Sequence, residues 1–137
     1  MANQNAQKLS VIPKNGSNGD ACVFASSFQA VATPISDVIR FAKMPAGVEI
    51  IGVDLVHDAM GASSTLSVGY EFVDSADGAA APAQFLAAAA STSAQKRPCA
   101  AHPIELQAPT FITATVGGAA ITGKVTAIVN YKFIGTK

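Results

Sequence analysis

Residues 121–134 constrain this chain most. Val125, Ala127, Val129, Tyr131 and Phe133 fall on one parity, and Thr122, Lys124, Thr126, Asn130 and Lys132 on the other, with Ile128 the one exception. A helix with 3.6 residues per turn scatters such a pattern around its surface. A strand gathers it into one dry face and one wet face. The chain therefore holds a long half-buried strand, whose dry side needs a second layer to cover it.

The same alternation returns at 64–73, where Leu66, Val68, Tyr70 and Phe72 oppose Thr65, Ser67, Gly69 and Glu71. Further runs of strand character lie at 22–33, 37–44, 48–58, 104–107 and 110–116. In 48–58, Val, Ile and Leu dominate, and Ile51, Val53 and Leu55 are expected on one face with Asp54 and Asp58 on the other. Turn signals separate the runs: Thr33-Pro34, Pro45-Ala46-Gly47, Asp77-Gly78 and Gly117-Gly118. About seven or eight strands, with a turn roughly every ten residues and no β-α-β alternation, predict an all-β sandwich. A sandwich of this size has open edges, and a neighbouring subunit is one way to cover them.

Three stretches read differently. Residues 83–90, Ala-Gln-Phe-Leu followed by four Ala, have the highest helix propensity in the chain. They predict one short helix, docked through Phe85 and Leu86. Residues 91–102 read as a loop carrying Lys96, Arg97 and Pro98. Residues 1–19, rich in Asn, Gln, Ser, Gly and Lys, read as an extended N-terminal arm ahead of a β-sandwich domain at 20–137. A wholly solvated tail has no need of Leu9, Val11 and Ile12, so these three are expected to touch a partner.

Composition narrows the function. At 137 residues the chain has the size of one domain. Nine Lys plus Arg balance nine Asp plus Glu, and the basic residues are scattered, so the cationic footprint of a nucleic-acid binder is missing. Only 13% of residues are charged, which leaves the surface poorly protected against association and points to a protein that works bound to other copies or to a larger surface. The polar opening has no apolar segment behind it, so export through a signal peptide is not expected. The long charge-free stretch at 78–95 is broken by Pro82 and too weakly apolar to span a bilayer, so no membrane partner is expected.

The chemistry-bearing residues form no working set. Cys99-Ala100-Ala101-His102 supplies one close ligand pair, but Cys22 and His57 are far from it and from each other in sequence, so no zinc site is predicted. His57 and Asp58 are strand neighbours that point to opposite faces, and no Gly-x-Ser-x-Gly elbow is present. Asp54 and Asp58 stand about 13 Å apart along a strand, too far for glycosidase geometry. Gly117-Gly118 joins two strands and does not open a helix, so it cradles no phosphate. No catalytic residue, metal or cofactor is predicted. Cys22 and Cys99 are expected as two reduced, buried thiols.

Arg40-Phe41-Ala42-Lys43-Met44-Pro45-Ala46-Gly47 runs into Val48-Glu49-Ile50-Ile51-Gly52-Val53-Asp54-Leu55 and on to Gly61-Ala62-Ser63-Ser64-Thr65-Leu66-Ser67-Val68-Gly69. This order of strand, Pro-Ala-Gly, strand, small-residue turn and strand resembles tailed-bacteriophage head decoration, or cement, proteins. The segment from Phe111 through Gly117-Gly118 into the last strand is similar too. The resemblance implies a jelly-roll-like sandwich of about eight antiparallel strands that sits on the capsid exterior after assembly in the host cytoplasm. It implies the major capsid protein as partner, together with self-association as a homodimer or homotrimer, and no active site. On that reading Lys96 and Arg97 are expected against acidic capsid patches, beside the arm contacts Leu9, Val11 and Ile12. Two other functions fit a sandwich of this composition. One is a tail or head-tail joining protein. The other is a small-molecule or carbohydrate-binding jelly roll, which the absence of Trp and the presence of only two Tyr make poorly equipped for sugar stacking.

Overall fold

The computed structural model describes residues 3–7, 9, 21–99 and 102–135. Their strands are β1 (Asn3–Asn5), β2 (Cys22–Thr33), β3 (Val38–Met44), β4 (Val48–His57), β5 (Thr65–Phe72), β6 (Ala81–Ala90), β7 (Gln95–Pro98), β8 (Ile104–Leu106), β9 (Thr110–Gly117) and β10 (Ile121–Phe133). One sheet has the order β1-β3-β9-β5-β6, and the other β2-β10-β4-β7, with β8 also beside β4. From β2 onward the chain changes sheet at nearly every connection, the exceptions being the β5–β6 hairpin and the β7–β8 link. With β7 and β8 taken as two pieces of one edge strand, each sheet holds four interleaved antiparallel strands. This is the jelly roll. The short β1 adds to the edge of the first sheet, parallel to β3.

β10 does what its alternation predicts. Val125, Ala127 and Val129 are fully buried and Tyr131 nearly so, and they share one core with Ile39, Phe41, Met44, Leu66, Val68 and Ile112 of the opposite sheet. β10 is also flanked on both sides, by β2 and by β4, over most of its length. In β5, Leu66 and Val68 are buried and Tyr70 and Phe72 half-buried.

The face expected for Ile51 is corrected by a bulge. The β10–β4 register steps from Asn130 opposite Gly52 to Tyr131 opposite Ile50, which leaves Ile51 as the extra residue. Ile50 is therefore buried with Val53 and Leu55, and Ile51 turns outward, 38% exposed. Alternation cannot be carried through a position where two residues face one.

The helix expected at 83–90 is strand β6, and no α-helix occurs among the described residues. β6 pairs with β5 at Thr65 and Ala90, Leu66 and Ala89, Val68 and Leu86, and Tyr70 and Ala81. Alanine's helical preference amounts to a few tenths of a kcal/mol per residue. Satisfying the backbone edge of β5 and burying Phe85 outweigh it. The loop expected at 91–102 likewise contains β7, which supplies an edge to β4.

The first residues of the expected arm belong to the sandwich. β1 lies on β3, the Ala6 amide donates to the Arg40 carbonyl at 3.0 Å, and the Gln7 amide donates to the Ser27 carbonyl at 3.0 Å. The segment thus crosses from one sheet to the other, and Ala6 is buried where it does so. Val11 and Ile12 lie outside the described residues.

Gly69 faces the outer side of the first sheet, yet it is buried. Between Leu86 and Ala81 the β6 register slips, and the Ala81–Pro82 backbone folds across this position. A Cβ here would collide with the Ala81 carbonyl oxygen and with Pro82. Gly69→Ala is expected to lower the unfolding free energy by about 1–3 kcal/mol in denaturant titrations. Ala88→Val, on the exposed side of β6, is expected to leave stability unchanged or raise it by up to about 1 kcal/mol. A helix at this position would lose stability from the same change.

Candidate interaction surfaces

The jelly roll gathers its loops at two ends, and one end has an unusual chemistry. It is built from the β2–β3 turn at 34–37, the β4–β5 loop at 58–64, the β6–β7 turn at 91–94 and the β9–β10 turn at 118–120. Backbone bonds tie these loops together: Met60 N–H to the Ser91 carbonyl at 2.9 Å, Ser91 N–H to the Ser64 carbonyl at 3.0 Å, Thr122 N–H to the Met60 carbonyl at 3.1 Å, and Ser36 N–H to the Val116 carbonyl at 2.8 Å. The buried Ser64 hydroxyl donates to the Gly61 carbonyl at 2.7 Å. Its single proton is then used, so the Ser91 hydroxyl, 2.8 Å away, donates to Ser64.

All three non-glycine residues with positive φ, among those described, lie at this end: Ala32 at 46°, Ser36 at 74° and Ser63 at 63°. Each costs roughly 1–2 kcal/mol relative to a relaxed backbone. The bonds above and the Ala32 amide donating to Thr122 Oγ1 at 3.0 Å hold them there. Strain of this kind concentrates where a surface has to keep one shape.

The surface so held carries almost no charge. Residues 31–36, 59–63, 91–94 and 117–120 contain no Asp, Glu, Lys or Arg. Val31 is 77% exposed and Ile35 51% exposed at its rim. Of the two acids nearby, Asp37 is buried and accepts from Gln4 Nε2 at 3.0 Å, and Asp58 accepts from the Lys124 amide at 3.0 Å. Charge is spent instead on the outer sheet faces. Arg40 pairs with Glu71 at 2.7 Å and stacks over Phe111 at 4.4 Å, Lys132 faces Glu49 at 3.8 Å, and Lys96 faces Asp54 at 3.9 Å.

The contact residues expected from sequence do not form one patch. Leu9 is half-buried beside Asn5, Ala6, Lys43 and Phe111, on the β3–β9 side. Lys96 and Arg97 lie on β7, at the edge of the second sheet away from β2. Lys96 pairs with Asp54, and Arg97 Nη2 donates to the Ala90 carbonyl at 2.8 Å, pinning the end of β6. Val31 and Ile35 escaped the sequence reading. Their one signal is an apolar residue on each side of Thr33-Pro34, inside a turn where polar residues are the norm.

His57 is buried in β4, with Nδ1 2.8 Å from the Asp58 carbonyl. Among the described residues, no three His, Cys, Asp or Glu side chains converge as a metal site.

No protein-family model matches the chain, and no curated protein matches it. Solved structures do. A chain from the capsid of Ralstonia phage GP4 superposes with a TM-score of 0.73 at 15% identity, covering 98% of this chain and 99% of that one. A chain from the cyanophage Pam1 capsid asymmetric unit gives 0.64 at 22% identity over 90% and 91% of the two chains. A chain from the acidic stable capsid of Helicobacter pylori bacteriophage KHP30 gives 0.57 at 18% identity over 86% and 91%. At these identities the likeness is one of fold, and it runs through nearly the whole length of both chains each time.

Neither Cys22 nor Cys99 is in a disulfide. Burial, with a smaller push from the Asp54 carboxylate, raises the Cys99 thiol from 9.0 to about 11. Burial, and then the charge that Cys22 carries when ionised, also raises Tyr131. Both groups hold their protons more tightly in the folded chain than in the unfolded one. The folded state is therefore favoured in full below pH 9 and loses that advantage as the pH climbs toward 11. Thermal midpoints are expected to fall across this interval, and Cys99→Ser is expected to flatten part of the fall.

Proposed function

We propose that this chain is a structural protein of a phage virion, a decoration protein that binds the outside of the capsid and stabilises it by bridging major capsid subunits. The observation that carries the reading is the whole-length likeness to chains of similar size in three phage capsids. The surface chemistry supports it. The fold is a two-layered wall with a nearly uncharged, strain-held end, suited to adhesion, and the reading assigns it no reaction.

The mechanism is burial. A standard protein interface covers about 1,600 Å² in total, and its apolar centre dominates the energy. Val31 and Ile35 are the exposed apolar side chains at the loop end, and Leu9, Val11 and Ile12 form a second, separate contact on the N-terminal side. Lys96 and Arg97 form a third, polar contact at the β7 edge. The Lys96–Asp54 pair is exposed and long, so it is worth little, and Lys96 turns to an acidic partner at small cost. The protein works as a homodimer or homotrimer. Many copies over one shell add their contacts, so each interface need not be strong.

Co-sedimentation with empty phage heads tests the reading. Val31→Ser combined with Ile35→Ser changes two exposed positions and leaves the core intact, and Val11→Asn combined with Ile12→Asn removes the two apolar side chains proposed as arm contacts. Each double variant is expected to keep its circular dichroism spectrum and to bind heads at least about tenfold more weakly than the parent. A parent that stays in the supernatant, or variants that pellet with heads as the parent does, would contradict the proposal.

A further inference from the structure

A two-sheet sandwich exposes four edges, and three of them are blunted here. β1 has three residues, too short to template a partner. β6 carries Pro82 and two register shifts against β5. β7 and β8 are short and carry Lys96, Arg97, Pro98 and Glu105. Short length, charge, proline and irregular register are the devices that keep edge strands from pairing. From Cys22 to Ala30 β2 has none of them, its one register shift lying at the far end between Ala30 and Thr33. It runs for 12 residues as Cys-Val-Phe-Ala-Ser-Ser-Phe-Gln-Ala-Val-Ala-Thr, without a charge or a proline.

The outer side of β2 is reached at one backbone position by the described residues, where Gln7 N–H donates to the Ser27 carbonyl. That bond also fixes the parity. The Ser27 carbonyl points away from β10, so the peptide groups of Val23 and Ala25, two and four residues earlier, do so as well. Val23 is 64% exposed. Its outward neighbours include Ala25 and, across the ladder from Ala25, Ile128. Ile128 is the apolar exception on the wet face of β10. The three side chains make an apolar strip that leads to an edge left unpaired at Val23 and Ala25 among the described residues.

We propose that β2 pairs antiparallel with β2 of a second copy of this chain, about a two-fold axis near Phe24. The inference deepens the proposed self-association and rests on it. Two observations select a second copy as the occupant. First, the edge is uncharged and needs an uncharged complement, which β2 itself is, while the net charge of zero sets no long-range repulsion between copies. Second, a two-fold axis turns any antiparallel edge into its own complement, each outward N–H meeting a C=O of the same edge. Centring near Phe24 places Val23 of one copy opposite Ala25 of the other. It leaves the Ser27 carbonyl to Gln7. The two apolar strips then meet across a continuous sheet.

Sedimentation equilibrium on the full chain, with hydrogen exchange at the Val23 and Ala25 amides, tests this. The parent is expected to form a dimer in which both amides are protected. Val23→Lys sits on the exposed face and sets two like charges at the joint. It is expected to weaken dimerisation at least tenfold and release both amides, with the thermal midpoint of the monomer unchanged. Ala88→Lys on β6 serves as the control and is expected to leave the dimer intact. A parent that is monomeric or trimeric, or a Val23→Lys protein that dimerises as before, would overturn the proposal. So would protection of both amides in a monomer, which would mean that residues 10–20 of the same chain hold the edge. Head binding is read separately: a monomer that still pellets with heads sinks the edge pairing alone, and a dimer that ignores heads sinks the virion reading alone.

Discussion

The burial of one face of β10 against the opposite sheet is the interaction on which the rest depends. Val125, Ala127, Val129 and Tyr131 present a continuous apolar strip, and β2 and β4 are positioned by their ladders on either side of it. The first sheet is held because Ile39, Ile112, Val68 and Leu66 cover that strip. Without this contact neither sheet has a reason to stay flat against the other, since each outer face is mixed and solvated. The loops inherit their positions from it. Strained backbone at Ala32, Ser36 and Ser63 persists because the strands at its ends are already fixed.

How much of this was legible in the sequence follows from the kind of signal each element emits. β10 and β5 are half-buried antiparallel strands, and period-two alternation reports them directly. β6 is an edge strand built mostly of Ala, where the local preference points to helix and only the unsatisfied edge of β5 decides otherwise. No window of sequence contains that edge. Ile51 is a similar case at smaller scale: the bulge is set by how β10 and β4 meet, and nothing in Ile50-Ile51-Gly52 announces which isoleucine turns inward. The N-terminal stretch read as an arm contains β1 because β3 offers a free ladder position, again a property of the assembled sheet. Of the candidate contact surface, the scattered bets at Leu9, Lys96 and Arg97 were visible as residue types. The uncharged end was not, because four loops separated in sequence by tens of residues build it.

Low charge links the fold to the proposed role. Three ion pairs cross the outer sheet faces, and the loop end is left to Val31, Ile35 and small residues. Such a distribution is a hazard for a protein that must remain alone in solution, because uncharged apolar surfaces associate. For a protein that spends its life against a shell and against its own copies, the same distribution supplies the contact energy. Rigidity in the loops lowers the ordering cost of each contact, and repetition over a symmetric particle multiplies it.

The central claim is that this wall acts by adhering to the outside of a capsid in many copies. Quantitative counting of the chain in purified virions, combined with its position in a cryo-EM reconstruction, tests that claim most directly. The account predicts on the order of hundreds of copies on the outer surface, following the symmetry of the shell. About a dozen copies or fewer, confined to the tail or to the vertex that joins it, would contradict it.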